Sequence, residues 1–513
     1  MNLMRFIILA SIVAILAQSC FFAKSDTQQP SDLSGAELAT RHCGSCHMLP
    51  APDLLTKDAW RNGVLPQMAL RLGMSDDIIN VISNLPSADA DTLMQVGIYP
   101  GTPQMHPADW QKIVAYYTTL APDSLPAQPT RQPVQPTLSL FHAKPAPIPV
   151  PPLVTLIHHD STRQQLWIGL RNGNLYQTDN QFRTLDTNYL PSTPSDLTML
   201  PNGLAQVLLM GVMDPNDSRK GQLVTVKPGQ TSSTTQITPL VNHLHRPVQQ
   251  LTADFNQDGR NDILVAQFGN TVGKLTLFEQ QPNGTYQERI LDYAPGTRTV
   301  QVHDFNHDGK PDIMALLTQG DESVAIYWNR GFNLFEKQVV LRFPPVYGSS
   351  YAELADFNGD GHPDILYTNG DNADYSKILK PYHGVRIFLN DGRNHFRQAW
   401  FYPMHGAAKA IAHDFDQDGD LDIAAISMFP DAQARPAEQF IYFTNTGKLR
   451  FTPQTFSDNG VGQWMLLEKA DYDHDGDLDL LLGSFMLRKR SGQVNTDKGL
   501  WLLENQTKQR VTL

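Results

Sequence analysis

The sequence predicts a multidomain chain: a small all-α domain near the N-terminus, then a large all-β body built from seven repeated four-stranded sheets. An acidic nine-residue loop that recurs five times, starting at positions 254, 304, 356, 414 and 471, predicts the repeated sheets. Ten prolines between Ala121 and Pro152 disfavour a packed core and mark a boundary. Apolar residues at helical period between Ala36 and Leu120 predict the all-α part.

Each copy of the loop reads Asp, aromatic, Asn or Asp, any residue, Asp, Gly, two of any residue, Asp, and an apolar strand such as Ile263-Leu264-Val265-Ala266 follows. Oxygen side chains at positions one, three, five and nine, with glycine at six for the sharp turn, suit a hard cation held within one short loop. The candidate ligands are Asp254, Asn256, Asp258 and Asp262; Asp304, Asn306, Asp308 and Asp312; Asp356, Asn358, Asp360 and Asp364; Asp414, Asp416, Asp418 and Asp422; and Asp471, Asp473, Asp475 and Asp479. So many carboxylates in nine residues repel one another unless a cation is present, so up to five Ca2+ ions are expected. The loops lack the distal glutamate of an EF-hand and are flanked by strands. They resemble the FG-GAP or VCBS repeats of integrin-like β-propellers, and the resemblance implies a propeller fold.

The spacing of the loop starts leaves room for a four-stranded blade in each repeat. Two units that keep the strand pattern but lose the acidic ligands precede them, near Leu156 to Tyr176 and Asp196 to Gly211, giving seven blades. The strand Leu500-Trp501-Leu502-Leu503-Glu504 is expected to complete the last blade and remove the free sheet edge. His303 and His413 stand one residue before a loop, and the polar insertion Tyr367 to Asp374 with Lys380 to Arg386 lies between strands. Structural hydrogen bonding is the expected role of all of them.

In the N-terminal part, helices are expected over Ala36 to Cys46, Thr56 to Leu72 and Pro107 to Leu120, with a short one near Asp76 to Ser83. Cys43-Gly44-Ser45-Cys46-His47 has the spacing for covalent c-type haem: two thiols add to the vinyl groups and the adjacent imidazole ligates iron. A redox dithiol does not require the histidine, and no second cysteine pair exists to complete a zinc site. Size and helix count resemble a cytochrome c domain. For the second axial ligand, Met68 lies eight residues after Trp60 in a pattern similar to small c-type cytochromes, and Met105 has the longer interval of many others; Met48, Met74 and Met94 are also within reach in sequence.

The first residues read as an export leader, an apolar stretch Phe6 to Ala17 that is short for a membrane span. Leu16-Ala17-Gln18-Ser19-Cys20 resembles a loose bacterial lipobox, which implies acylation of Cys20, a membrane anchor, and a place in the periplasm or at the outer membrane or cell surface. The expected division is leader 1–19, tether 20–34, cytochrome c domain 35–121, proline-rich linker 122–152 and propeller 153–513. A formal net charge of −12 without a basic patch excludes nucleic acid as an expected partner. Three functions fit: an electron-transfer protein whose propeller docks a redox partner or ligand; a sugar or alcohol dehydrogenase passing electrons to its haem; and a glycan-binding or adhesion module with a separate haem head. No quinone or flavin signature supports the second. The electron donor, a partner protein or a small molecule, is not encoded in any motif.

Overall fold

The computed structural model describes residues 29–75, 77, 80, 83, 87–227, 236–373, 376–486 and 498–507. The leader, Cys20 and most of the helix expected near Asp76 to Ser83 lie outside the described residues.

Seven four-stranded antiparallel sheets follow one another as the blades of a propeller. Blade one spans Val154 to Tyr189, blade two Pro194 to Leu244, blade three Pro247 to Asp292, blade four Thr297 to Arg342, blade five Ser349 to Pro403 and blade six Ala407 to Gln454. The first strands of neighbouring blades pack together around the axis. Every first strand carries a bulge near its start, as between Pro247 and Gln249, which adds local twist. Second strands such as Asp312–Leu317 and Asp422–Ser427 are buried at every residue, because blades cover both of their faces, and they read as continuous apolar runs. Fourth strands such as Phe335–Arg342 form the rim and carry charges that discourage edge pairing.

Blade seven corrects the expected boundaries. Leu500–Asn505 is its third strand, and its outer strand is Phe141–Pro145, paired antiparallel from Phe141 opposite Asn505 to Pro145 opposite Trp501. The two chain regions thus close the ring together, and part of the stretch 122–152 belongs to the propeller. Proline is tolerated in this strand because it lies at a sheet edge. The preceding residues strap the rim of blade six: Gln135 N donates to Pro453 O at 2.9 Å, and Arg131 pairs with Glu438 at 2.6 Å.

The helical head comprises α1 (Gly35–His42), a π-helical turn Ala59–Val64 continuing into α2 (Leu65–Arg71), α3 (Ser87–Val96) and α4 (Pro107–Leu120). Helix α1 is shorter than expected, and α3 was not expected. Ser34 caps α1 reciprocally with Glu37. At the α1–α4 crossing a Cβ on Gly35 would lie 2.1 Å from Lys112 O, so only glycine permits the approach. The core of Leu38, Trp60, Ile113 and Tyr117 runs on into Val346, Tyr347, Ile378 and Tyr382 of blade five. Tyr382 stacks on Tyr347 with centroids 4.8 Å apart and donates its hydroxyl to Leu54 O at 2.9 Å. An independent all-α domain is therefore not what the chain forms; the helices share a core with the propeller. They sit on the face opposite the acidic loops, since the loops join first to second strands while Tyr347 and Tyr382 precede the first and third strands of blade five.

Phe141 anchors the closing strand edge-on to Phe415 and Tyr442, at 5.6 and 5.1 Å. Phe141→Ala is expected to cost about 3–5 kcal/mol, read as a lower midpoint in urea unfolding.

Candidate functional site

The acidic loops of blades three to seven gather on one face, one per blade. In the loop from Asp304, the first carboxylate accepts the amides of Asp308 at 3.1 Å and Gly309 at 2.8 Å. Asn306 Oδ1 accepts the Asp308 amide at 3.0 Å, and Asp308 Oδ1 accepts that of Lys310 at 3.0 Å. Gly309 takes φ +82°, a left-handed conformation that a side chain disfavours. These bonds wind the loop so that oxygens at positions one, three and five converge.

Position nine has a further task. Asp312, Asp364, Asp422 and Asp479 are each fully buried. One oxygen accepts the amide of the aromatic at position two, at 2.9–3.2 Å. The other accepts the amide of an asparagine at the end of the third strand, Asn329, Asn390, Asn445 or Asn505, at 2.7–2.8 Å. That asparagine in turn donates its side-chain amide back to the loop, and Asn329 and Asn505 also reach the previous blade at Phe255 O and Phe415 O. Sequence reasoning missed these asparagines. Their signal was present as Asn-x-Gly in three blades, but its distance from the aspartate varies between 17 and 26 residues. Burial pushes the carboxyl of Asp364 up to about 6, that of Asp422 to about 7 and that of Asp479 to about 8, against the opposing pull of these amides.

Position seven, unremarked in the sequence, grades the loops. Arg260 and Lys310 pair with Asp258 and Asp308 in the first two, so these loops carry their own cation. The last two have Asp420 and Asp477 there. Carboxylate oxygens of Asp414, Asp416 and Asp418, and of Asp471, Asp473 and Asp479, lie within 4.8 Å of one another. In the last loop Asp471 Oδ1 and Asp475 Oδ2 are hidden from solvent with no donor. Like-charged, undonated oxygens turned inward are what a divalent cation satisfies.

His303 and His413 contact Phe305 and Phe415 edge-on at 4.9 and 5.2 Å, and burial lowers the pKa of both imidazoles. Their place is beside the aromatic of the loop. In the blade-five insertion, Asp374 lies outside the described residues. Buried Arg386 donates to Tyr382 O at 2.7 Å and stacks over Phe401 at 4.0 Å, supporting the surface that holds the head.

In the head, Cys43 caps the C-terminal end of α1, Cys46 is exposed, and the two are not joined in a disulfide. Burial pushes the Cys43 thiol up to about 11, which opposes the thiolate that a redox dithiol needs. His47 Nδ1 lies 3.0 Å from Met48 O, a contact that orients the ring and leaves Nε2 for another partner. The loop after the motif is pinned by Tyr117 Oη to Pro50 O at 3.1 Å and Trp60 Nε1 to Pro52 O at 2.8 Å. Met105, Met68 and Met74 all join the core that holds Cys43, whereas Met94 is exposed.

For the chelator-treated protein, the buried aspartates set a pH dependence. Unfolded, they ionise near pH 4; folded, Asp364, Asp422 and Asp479 keep their protons to about 6, 7 and 8. On these three groups the folded form holds more protons across this window, so their share of the stability should fall as pH rises from about 4 to about 8. Thermal melts of the chain and of Asp479→Asn over that range check it: the variant should gain relative to the parent toward pH 8, and a difference that does not change with pH would contradict it.

An FG-GAP-like repeat model matches residues 254–315 and 304–367. No curated protein matches. Among solved structures, the chain is similar to the Neurospora crassa Pan2 WD40 domain (12% identity, TM-score 0.43, covering 72% of this chain and 97% of that one). It is similar also to the Dos1 propeller (10%, 0.42, 69% and 77%) and to Saccharomyces cerevisiae Sqt1 (8%, 0.41, 72% and 99%). The chain is a seven-bladed β-propeller that carries FG-GAP-like repeats, an architecture suited to binding a ligand or partner.

Proposed function

We propose that the chain is an exported c-type haem electron-transfer protein, lipid-anchored through Cys20, whose calcium-braced propeller docks a redox partner or ligand. The observation that carries this reading is the Cys43 to His47 motif at the end of α1, with its histidine oriented through Nδ1 and candidate methionines in the adjoining core. These residues fit haem: Cys43 and Cys46 would form the thioether links, His47 Nε2 would ligate iron, and Met68 or Met105 would be the second axial ligand. A haem held there supplies a one-electron couple, and a methionine ligand raises its potential relative to a second histidine. The chain's own part is to fix that couple. Gly35 lets α1 approach α4 closely, and the Tyr382–Leu54 bond joins the loop after the motif to blade five. Pinning the haem-bearing segment to the propeller would place it at a constant distance from whatever the propeller docks.

Calcium would occupy the acidic loops. The loops from Asp414 and Asp471 fit best, having converging carboxylates and no basic residue at position seven.

Cys43→Ala or Cys46→Ala is expected to abolish two-bond attachment, read from the haem spectrum of the denatured protein in alkaline pyridine; a wild-type linkage in either variant would sink the haem reading. Calcium at a hundred times its dissociation constant should stabilise the fold by about 2.7 kcal/mol per site that binds only the native state. Differential scanning calorimetry with and without chelator checks this, and coincident melts would remove calcium from the account.

A further inference from the structure

The ring of acidic loops is broken at one place, and the break makes a cavity. Within the ring, loops lean on their successors: Gln257 Nε2 donates to Gly309 O at 2.8 Å. After the last loop comes blade one, whose corresponding turn is only Ser161 to Gln164 and is held by Asp160 pairing with its own Arg163 at 2.9 Å. The missing loop leaves a cleft of about 410 Å³ between blades one and seven, reaching Asp196 of blade two. That volume is in the range of a small-molecule site.

The lining is polar and its needs are unmet. His159 Nε2 and Gln164 Oε1 are both hidden from solvent without a hydrogen-bond partner, although buried polar atoms are almost always paired. Gln164 is held with its oxygen as the free atom, because its amide nitrogen donates to Ser161 O. The ionisable groups on the wall include Glu468, Asp471, Lys469 and Asp196, whose carboxyl burial pushes up to about 7, and Lys409 stands beside Glu468 as a second ammonium. Lys469 is engaged elsewhere, donating to Ala412 O at 2.9 Å and lying 3.7 Å from Glu353. Glu468 accepts from Lys409 at 2.7 Å with one oxygen, and Asp196 accepts two backbone amides at 2.8 Å, which leaves both with lone pairs to offer. Asp471 belongs to the neighbouring acidic loop.

We propose that this cleft is a binding site for a small organic cation, a ligand about the size of an amino sugar or amino acid that presents an ammonium group to Gln164 and the carboxylates of Asp196 and Glu468. Acceptors outnumber free donors, and both nearby ammonium groups, Lys409 and Lys469, are taken up by protein partners, so a group with three N–H donors and one positive charge complements the wall. A neutral polyol answers the hydrogen bonds but not the charge. The site does not depend on haem, and it lies on the face away from the helical head.

The probes are D-glucosamine and D-glucose, which share a ring and differ in an ammonium against a hydroxyl. Isothermal titration calorimetry on the full chain with calcium present should show glucosamine bound, at least tenfold more tightly than glucose. Gln164→Met, on a surface turn, should weaken glucosamine at least fivefold with the melting temperature unchanged. Glu468→Gln should narrow the preference over glucose, since it removes charge and keeps shape. Equal binding of the two sugars, no binding of either, or indifference of glucosamine affinity to both substitutions would overturn the proposal.

Discussion

Four buried aspartates, Asp312, Asp364, Asp422 and Asp479, hold the acidic face of this propeller together. Each spans two strands of its blade: one oxygen fastens the aromatic of its loop, the other the asparagine that ends the third strand. Removing water from a carboxylate raises its pKa, and two or three amide donors only partly compensate. The loop therefore carries an electrostatic cost that grows with pH, and under the proposed function a cation among its converging oxygens would offset that cost. The residue that ties the blade together also makes the loop favour a positive charge.

Closure of the ring is the second dependency. Because the outer strand of blade seven comes from Phe141–Pro145, the chain between the head and that strand must run along blade six. This strap, with Tyr382 gripping the loop at Leu54, holds the helices over blade five. Under the proposed function, a haem attached at Cys43 and Cys46 would move as part of the propeller, not on a tether.

The repeats were legible in the sequence because each loop is local: nine consecutive residues encode a turn, and an apolar strand follows it directly. The blade count was legible for the same reason, since even the two degenerate units keep the strand pattern. What escaped is non-local. The strand at Phe141 sits among prolines and pairs with residues at the far end of the chain, and nothing in a local pattern announces such a partner. The asparagine latches escaped because a variable loop separates each from its aspartate. The head was read as separate because its own periodicity is self-sufficient; the apolar residues that join it to blade five, such as Val346 and Ile378, lie in propeller loops with no period of their own.

The proposal of a cation-braced propeller carrying one covalent haem is tested most directly by weighing the purified chain twice, under native and then denaturing conditions. The account predicts a native mass that includes haem and calcium, and a denatured mass that keeps one haem and loses the calcium. A denatured chain without haem, or a native chain without metal in calcium buffer, would contradict it.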